Sequence, residues 1–473
     1  MAEEHSGYIV LRLSPELFLP LLLKQGKDLR ALAQEAGARD LLQVLKDYGD
    51  CTVELMITSV EPEKLLALEE AARSHGFADL PSLTSYWRLD ARKINDVATL
   101  LHRLASAEGV QRAYQELRHL DSAVNPNNDP FSNLELHLDS APIGIDARWA
   151  WTLPNGSGES VTFIDLEQGW TLRHEDFPQI FPLPGVRQDI NPGHEPHGTA
   201  VLGIVAAADN TKGVIGIAPH TAHVSVASHY RASDGTGGLV ADAIVAVLAS
   251  GAVTPGDVLL LEVQHGNNGP IELDEVVFAA VSMATSLGIV VVEAAGNGNT
   301  DLDSSPALNR QNRATFKDSG AILVGAGLSA LDAAGTGHER WVIATPGPGS
   351  NFGSRIDCYA YGDNVVTTGP TFNGACALGA GTQPHNQYRC DFGGTSAAAA
   401  IVAGAAVVVQ GLYRRLTALS LTSAQMRQAL RANGTPQGAT VAGHIGRMPD
   451  LKAIATALAR RPPSAPTNIR IPH

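Results

Sequence analysis

Ser396 stands in Phe392-Gly393-Gly394-Thr395-Ser396 and is followed by Ala397-Ala398-Ala399-Ala400-Ile401-Val402-Ala403-Gly404. Two glycines supply backbone freedom before Thr395, and alanine has the best intrinsic helix propensity, so the pattern predicts a helix that opens at the serine. A helix N-terminus presents unpaired N–H groups and partial positive charge, which favour an anion on or beside the serine oxygen. The same stretch also suits a packed internal helix whose first turn happens to hold Gly-Thr-Ser. A membrane span is a third reading, but the small-apolar run from Ala397 to about Val409 falls short of the roughly 20 residues a bilayer demands and contains Gly404.

A serine hydroxyl is a weak nucleophile that needs a base within hydrogen-bond reach and a third group to hold that base in the right tautomer. His197, in Pro196-His197-Gly198-Thr199-Ala200-Val201, opens a predicted helix. With 16 histidines in the chain, a capping or surface role is the plain alternative. Asp165 ends the apolar run Val161-Thr162-Phe163-Ile164, where open parallel sheets present functional groups, although a turn or cap aspartate would look the same. Asn297 ends another such run, Val292-Glu293-Ala294-Ala295-Gly296-Asn297-Gly298, and its amide N–H could face a developing oxyanion or simply make an Asn-Gly turn.

In the order Asp165, His197, Asn297, Ser396 these residues resemble the subtilisin-like serine peptidase family, the subtilases. Ile164-Asp165, then Gly169 and His174-Glu175-Asp176-Phe177, is similar to the family's acid strand end and the segment after it, with Leu166-Glu167-Gln168 spacing out the turn. His197-Gly198-Thr199 runs on through Ala206-Ala207 to Gly213-Val214-Ile215-Gly216-Ile217-Ala218-Pro219, again in the family's manner. The chain departs from it at Ala200, at Ala400 and in Leu261-Glu262-Val263-Gln264-His265-Gly266, where the family has a Ser-Leu-Gly-Gly strand. The resemblance implies a serine endopeptidase working through an acyl-enzyme: Asp165, His197 and Ser396 as triad, Asn297 in the oxyanion hole. A substrate strand would lie between Gly235-Thr236-Gly237 and Glu262-Val263-Gln264, with Ala294, Ala295 and Gly296 lining the pocket. No cofactor is required on this reading, and Asp176 and Asn210 fall where the family often binds calcium, with Lys212 arguing against it. A non-hydrolytic peptide-binding platform and an acyl-transferring variant remain as alternatives.

The elements that must position these groups read as an α/β catalytic domain: a doubly wound, mostly parallel sheet flanked by helices. Candidate strands are Val161 to Asp165, His223 to Ala227, Val258 to Val263, Ile289 to Ala294 and Ala321 to Gly325, separated by helical stretches. Residues 1–120 hold only six of the 47 glycines and read as a small α+β domain resembling the family's propeptides, hence a candidate intramolecular inhibitor. Its predicted elements include one helix over Leu29 to Tyr48. Residues 121–144, with Asn125-Pro126-Asn127-Asn128-Asp129-Pro130, read as an exposed linker open to nicking, 145–460 as the catalytic domain and 461–473 as a tail.

A formal charge of −14, from 34 Lys+Arg against 48 Asp+Glu, opposes nucleic acid and anionic membranes as partners. Met1 to Val10 lacks a basic region followed by an apolar stretch, so the default expectation is cytoplasmic, with leaderless secretion as the alternative. Four cysteines are too few for a disulfide scaffold. Cys376 and Cys390 could bridge a loop in an oxidising space, and free thiols are expected otherwise.

Overall fold

The computed structural model describes residues 5–25, 28–49, 51–74, 81–117, 124–183, 189–233, 235, 237–304, 318–330, 337–343, 346–371 and 376–460. The chain forms two compact units, residues 1–120 and 121–473. The first contains β1 (His5–Leu13), α1 (Pro15–Gln25), α2 (Leu29–Glu35), α3 (Arg39–Asp47), β2 (Val53–Leu55), α4 (Pro62–Ser74), β3 (Tyr86–Asp90), α5 (Val97–Ala105) and β4 (Val110–Leu117). Its strands make an antiparallel sheet in the order β2-β3-β1-β4. The single helix expected over Leu29 to Tyr48 is two, because Gly37 takes the left-handed conformation, with φ +71°, just after α2. Leu29, Leu32 and Ala33 enter the same core as Leu41, Val44 and Leu45, which made the break look like one continuous period.

The second unit opens with α6 (Ala147–Ala150) and is built on β5 (Thr162–Glu167), β6 (Ile180–Pro182), α7 (Glu195–Ala206), β7 (His223–Ser228), α8 (Val240–Ala249), β8 (Val258–Leu261), α9 (Glu275–Ser286), β9 (Val290–Ala294), β10 (Ile322–Gly327) and β11 (Cys358–Tyr361). These strands form a seven-stranded sheet, order β11-β10-β9-β8-β5-β7-β6, parallel at every pairing. Being covered on both faces, the strands read as unbroken apolar runs rather than as alternations. Phe163, Val258 and Leu260 point to the face that carries α7 and the long helix α10 (Gly394–Thr417); Ile164, Leu166, Leu259 and Leu261 point to the face of α8 and α9. The strand order reverses at β5, which has β7 on one side and β8 on the other, and such a switch point leaves a crevice at the strands' carboxyl ends.

α10 is 24 residues long, apolar enough by length and composition to cross a membrane, and its most apolar 18-residue window is wholly buried inside the fold. It is the core helix anticipated from the alanine run, extended by Gln410 to Thr417. Residues 124–144 are exposed in part, as expected of a linker, but they are tied to the second unit rather than free. Asn125 N–H bonds Asp209, Phe131 N–H bonds the Gly213 carbonyl, and Asp129, Ser132, Glu135 and His137 are buried against this unit. Asn125, Asn127, Asn128 and Pro130 are exposed, as the Asn/Pro-rich composition suggests, but Asp129 is buried and takes the N–H groups of Asn210 and Lys212. Residues 121–123 of that linker, and the tail 461–473, lie outside the described residues. A hairpin sheet of β12 (Val365–Thr368), β13 (Ala377–Leu378) and β14 (Tyr388–Phe392) leads into α10, and a disulfide joins Cys376 to Cys390 across it, the bridged one of the two states the sequence left open. Cys51 and Cys358 are buried free thiols.

Candidate active site

Glu167 is the last residue of β5, His197 lies in the first turn of α7, Asn297 follows β9 by three residues and Ser396 is the third residue of α10. All four therefore sit at the carboxyl edge of the sheet. His197 Nδ1 is hydrogen-bonded to the Glu167 carboxylate. The sequence reading put Asp165 in that place, and the structure corrects it. β5 sends residues 163, 165 and 167 to one face, so both acids point toward α7, but Asp165 lies one strand repeat deeper. Its Oδ2 instead accepts the Trp170 indole N–H at 2.6 Å, and its Oδ1 is buried without a partner among the described residues.

The two acids differ in charge. Desolvation pushes Asp165 up to about 8, with Glu167's negative charge adding to it. Burial would push Glu167 up as well, but the charge and hydrogen bond of His197, with His229 and the Gln168 N–H behind them, hold it below the ordinary carboxylate range. For His197, loss of water pulls downward; the charge of Glu167, its hydrogen bond and Asp165 outweigh that and raise the imidazole above its usual value. The result is an ionised Glu167 beside a basic histidine, with Asp165 neutral at pH 7. Close packing enforces the contact: a Cβ on Gly198 would lie 2.4 Å from the Gly169 carbonyl and 2.8 Å from Glu167 Cγ. Only glycine lets α7 come this near β5.

At α10, Gly394 takes φ +76° and Gly393 provides no side-chain cap, so the first N–H groups of the helix are left for other partners. Thr395 N–H donates to Asn297 Oδ1 at 2.9 Å, and the Thr395 hydroxyl lies 3.0 Å from the same oxygen. That oxygen's position fixes the amide, turning Nδ2 outward as a donor without a hydrogen-bond partner among the described residues. Gln264 steadies the loop by accepting the Asn297 N–H at 3.1 Å. Ser396 is 7% exposed. Among the described residues its hydroxyl makes no hydrogen bond; the tie to the histidine is through Phe392, whose ring meets the His197 imidazole edge-on at 5.4 Å. Nucleophile–base hydrogen bonds are commonly long in ligand-free enzymes and tighten with substrate.

Of the residues expected to line a substrate cleft, Gly235 and Gln264 are exposed, Gly237 and Val263 are half-buried, and Thr236 lies outside the described residues. Ala294, Ala295 and Gly296 are buried, and the Gly296 N–H is bonded to the Thr395 hydroxyl. Glu262, expected in the pocket wall, is buried beside the histidine and its acid. Both its carboxyl oxygens are buried without partners, and one of them comes within 4.8 Å of ligating atoms of Glu167 and His197. Among the described residues these three form the one group close enough to suggest a metal, though a cation there would compete with the proton that His197 must handle.

Asp176 and Asn210, the candidate calcium ligands, each spend a side-chain oxygen on a backbone N–H. Asp176 Oδ2 accepts the Val214 N–H, which spends one of its two oxygens, and burial pushes this carboxyl up to about 8. Asn210 Oδ1 accepts the Lys212 N–H, and the Lys212 ammonium lies 3.4 Å from Glu175. Asp129 Oδ1 takes the N–H groups of Asn210 and Lys212, which closes the loop by hydrogen bonds instead.

Sequence reading missed Glu167, Trp170 and Thr395 as supports of the site, and placed Gln264 in the substrate cleft without its bond to the Asn297 N–H. Glu167-Gln168-Gly169 carried a signal, an acid two residues before glycine at the end of an apolar strand. A sequence model of the subtilase family matches residues 183–446, a span that holds His197, Asn297 and Ser396 and begins after β5. The chain is 30% identical over 282 residues to subtilisin DY of Bacillus licheniformis, covering 59% of this chain and 86% of that one. It is 28% identical over 285 residues to a thermophilic serine proteinase of Bacillus sp. strain AK1, covering 59% of this chain and 62% of the relative's length. A solved structure of a protease from Pseudoalteromonas arctica aligns with 70% of this chain and 99% of its own at 22% identity and a TM-score of 0.48.

Proposed function

The chain belongs to the subtilase family and is a subtilisin-like serine protease; from that premise we propose that it cleaves peptide bonds with Glu167, His197 and Ser396. His197 takes the Ser396 proton as the hydroxyl oxygen attacks the scissile carbonyl carbon. Glu167 holds the imidazole with Nε2 free to accept that proton and stabilises the imidazolium formed. Asn297 Nδ2 and the Ser396 backbone N–H donate to the oxyanion, an arrangement paid for in advance because Thr395 already holds the amide in place. The proton then passes to the leaving amine, and water, deprotonated by the same histidine, clears the acyl-enzyme. The observation that carries this reading is the hydrogen bond between His197 Nδ1 and the buried Glu167 carboxylate.

The substrate is an extended polypeptide whose main chain pairs with the exposed strand ends around Gly235 and Gln264. The antiparallel unit of residues 1–120 would serve as an intramolecular inhibitor, removed by the enzyme's own cut. With residues from Val124 onward tied into the second unit, that cut is expected before Val124 rather than throughout 121–140.

The test is a fluorophosphonate probe together with an unstructured protein, applied to wild type and Ser396→Ala. Labelling and cleavage in wild type alone are expected. No labelling would make the protein a binding platform, and labelling with ligated products would make it an acyl transferase. Mass spectrometry of the N-terminus in both proteins checks self-processing; equal trimming of the two would refute it.

A further inference from the structure

The register of the central strands sets Phe163 beside Val258, Ile164 beside Leu259, Asp165 beside Leu260 and Leu166 beside Leu261. Extended by one residue, it brings Glu262 alongside Glu167, on the face shared by α7 and α10. Glu262 is 6% exposed, neither of its oxygens has a hydrogen-bond partner, and one lies within 4.8 Å of both Glu167 and His197. A buried carboxyl left unsatisfied costs free energy unless it is neutral and finds a partner. Glu167 offers one: its Oε2 is on His197 and its Oε1 takes the Gln168 N–H at 2.8 Å, which leaves further lone pairs on both oxygens.

We infer that Glu262 is a positioning residue that donates its carboxyl proton to Glu167 and so holds that carboxylate on His197. The remaining gap closes by rotation of the side chain or through one bridging water. The groups facing Glu262 are Asp165 and Glu167 from β5 and His197 from α7, with His229 acting on Glu167 and Arg389 on His197. Burial raises Glu262 well above the ordinary carboxylate range, with Asp165 and Glu167 adding to it, so the proton is in place at neutral pH. One ionised acid among three is what this water-poor edge tolerates, and Glu167 is the one that has a cationic partner. The inference rests on the triad assigned above.

The test compares Glu262→Ala and Glu262→Gln with wild type in kcat, KM and the pH profile of kcat/KM on a peptide substrate, with fluorophosphonate labelling alongside. Glu262→Ala is expected to lower kcat about ten- to a hundredfold, the worth of a hydrogen bond to a charged group, with KM little changed. With that donor lost Glu167 is held less firmly on the ring, so the imidazolium is supported less and the acid limb moves to lower pH. Glu262→Gln keeps shape and donor without an ionisable proton; it should restore most of the kcat lost in Glu262→Ala. Equal kcat and pH limbs in all three proteins would overturn the inference. So would a Glu262→Ala effect confined to KM and to the preference for the residue before the scissile bond, which would return Glu262 to the pocket wall. If wild type is not labelled at Ser396, the triad itself is wrong; labelling with unaltered variants refutes only the role of Glu262.

Discussion

Replacing Glu167 with glutamine and, separately, Asp165 with asparagine separates the two acids of β5 by their charge at neutral pH. Glu167 is ionised and hydrogen-bonded to His197 Nδ1. Taking its charge as about 4 Å from the imidazolium and an effective dielectric constant near 20, the anion contributes about 4 kcal/mol to the charged histidine of the transition state. That corresponds to about a thousandfold in rate, and an amide that can also present its N–H to the ring adds the cost of the wrong tautomer. Glu167→Gln should therefore lower kcat by about 10³–10⁴, with KM close to wild type. Asp165→Asn removes no charge at pH 7, because burial has pushed that carboxyl up to about 8, and the amide oxygen can still accept the Trp170 N–H. Its kcat/KM at pH 7 should stay within about threefold of wild type.

The pH profile sharpens the comparison. His197 must be neutral to act as base, and its pKa is raised above the ordinary value, so activity should rise with pH through a midpoint above about 6.5. Asp165→Asn removes a minor contribution to the raised His197 pKa, so that limb should move at most slightly to lower pH, with the larger divergence from wild type above about pH 8, where the native carboxyl ionises next to Glu167. Stopped assays of a peptide substrate from pH 5 to 10, with circular dichroism to confirm folding, supply every quantity. A Glu167→Gln enzyme that keeps its activity while Asp165→Asn loses three orders of magnitude would refute the assignment and restore Asp165 as the acid.

Asn297→Ala should reduce kcat by about 10²–10³ with little change in KM, the loss known for one oxyanion donor in a subtilisin; a loss confined to KM would mean that the amide binds substrate. Cys390→Ser opens the loop closed by the Cys376–Cys390 disulfide, with a sequence separation of 14, and should lower stability by up to about 3 kcal/mol in denaturant titration; unchanged stability would mean that the bridge constrains nothing in the unfolded chain. At Asp176, calcium or a chelator should leave Tm unchanged. The carboxyl's pKa is raised on folding, so between about pH 4 and 8 the native state holds a proton that the unfolded state has lost, and stability falls as pH rises. Asp176→Asn, which keeps an acceptor for Val214, should gain on wild type between pH 5 and pH 8; a fall in Tm restored by calcium in wild type alone would reveal a cation site.

The parallel sheet, the buried helix behind Ser396 and the positions of His197 and Asn297 were readable because they rest on local rules: apolar strand runs, glycine before an alanine-rich helix, a polar residue at a strand end. What was not readable depended on partners distant in sequence. The break in the helix over Leu29 to Tyr48 was masked because the residues on both sides of Gly37 face one core. The Asn/Pro segment near Asn125 looked solvated, yet Asp129 bonds residues more than 80 positions away. The closeness of Glu262 to Glu167 could not be read because the pairing of their two strands is invisible in one dimension.

The choice between Asp165 and Glu167 turns on the strand itself. Two residues along a strand are separated by about 6.6 Å, so an acid at 165 and an acid at 167 cannot both reach an imidazole fixed at the start of α7. The terminal position wins because the chain turns at Gln168-Gly169 immediately after it, bringing Gly169 and Glu167 against Gly198. Glutamate's extra methylene then spans from the strand end to the ring, while Asp165, one repeat deeper, meets only Trp170. An aspartate left in that depth stays protonated and does not compete for the imidazolium. The displaced acid is tolerated because the strand offers one charged place and one neutral one, and His197 contacts the first.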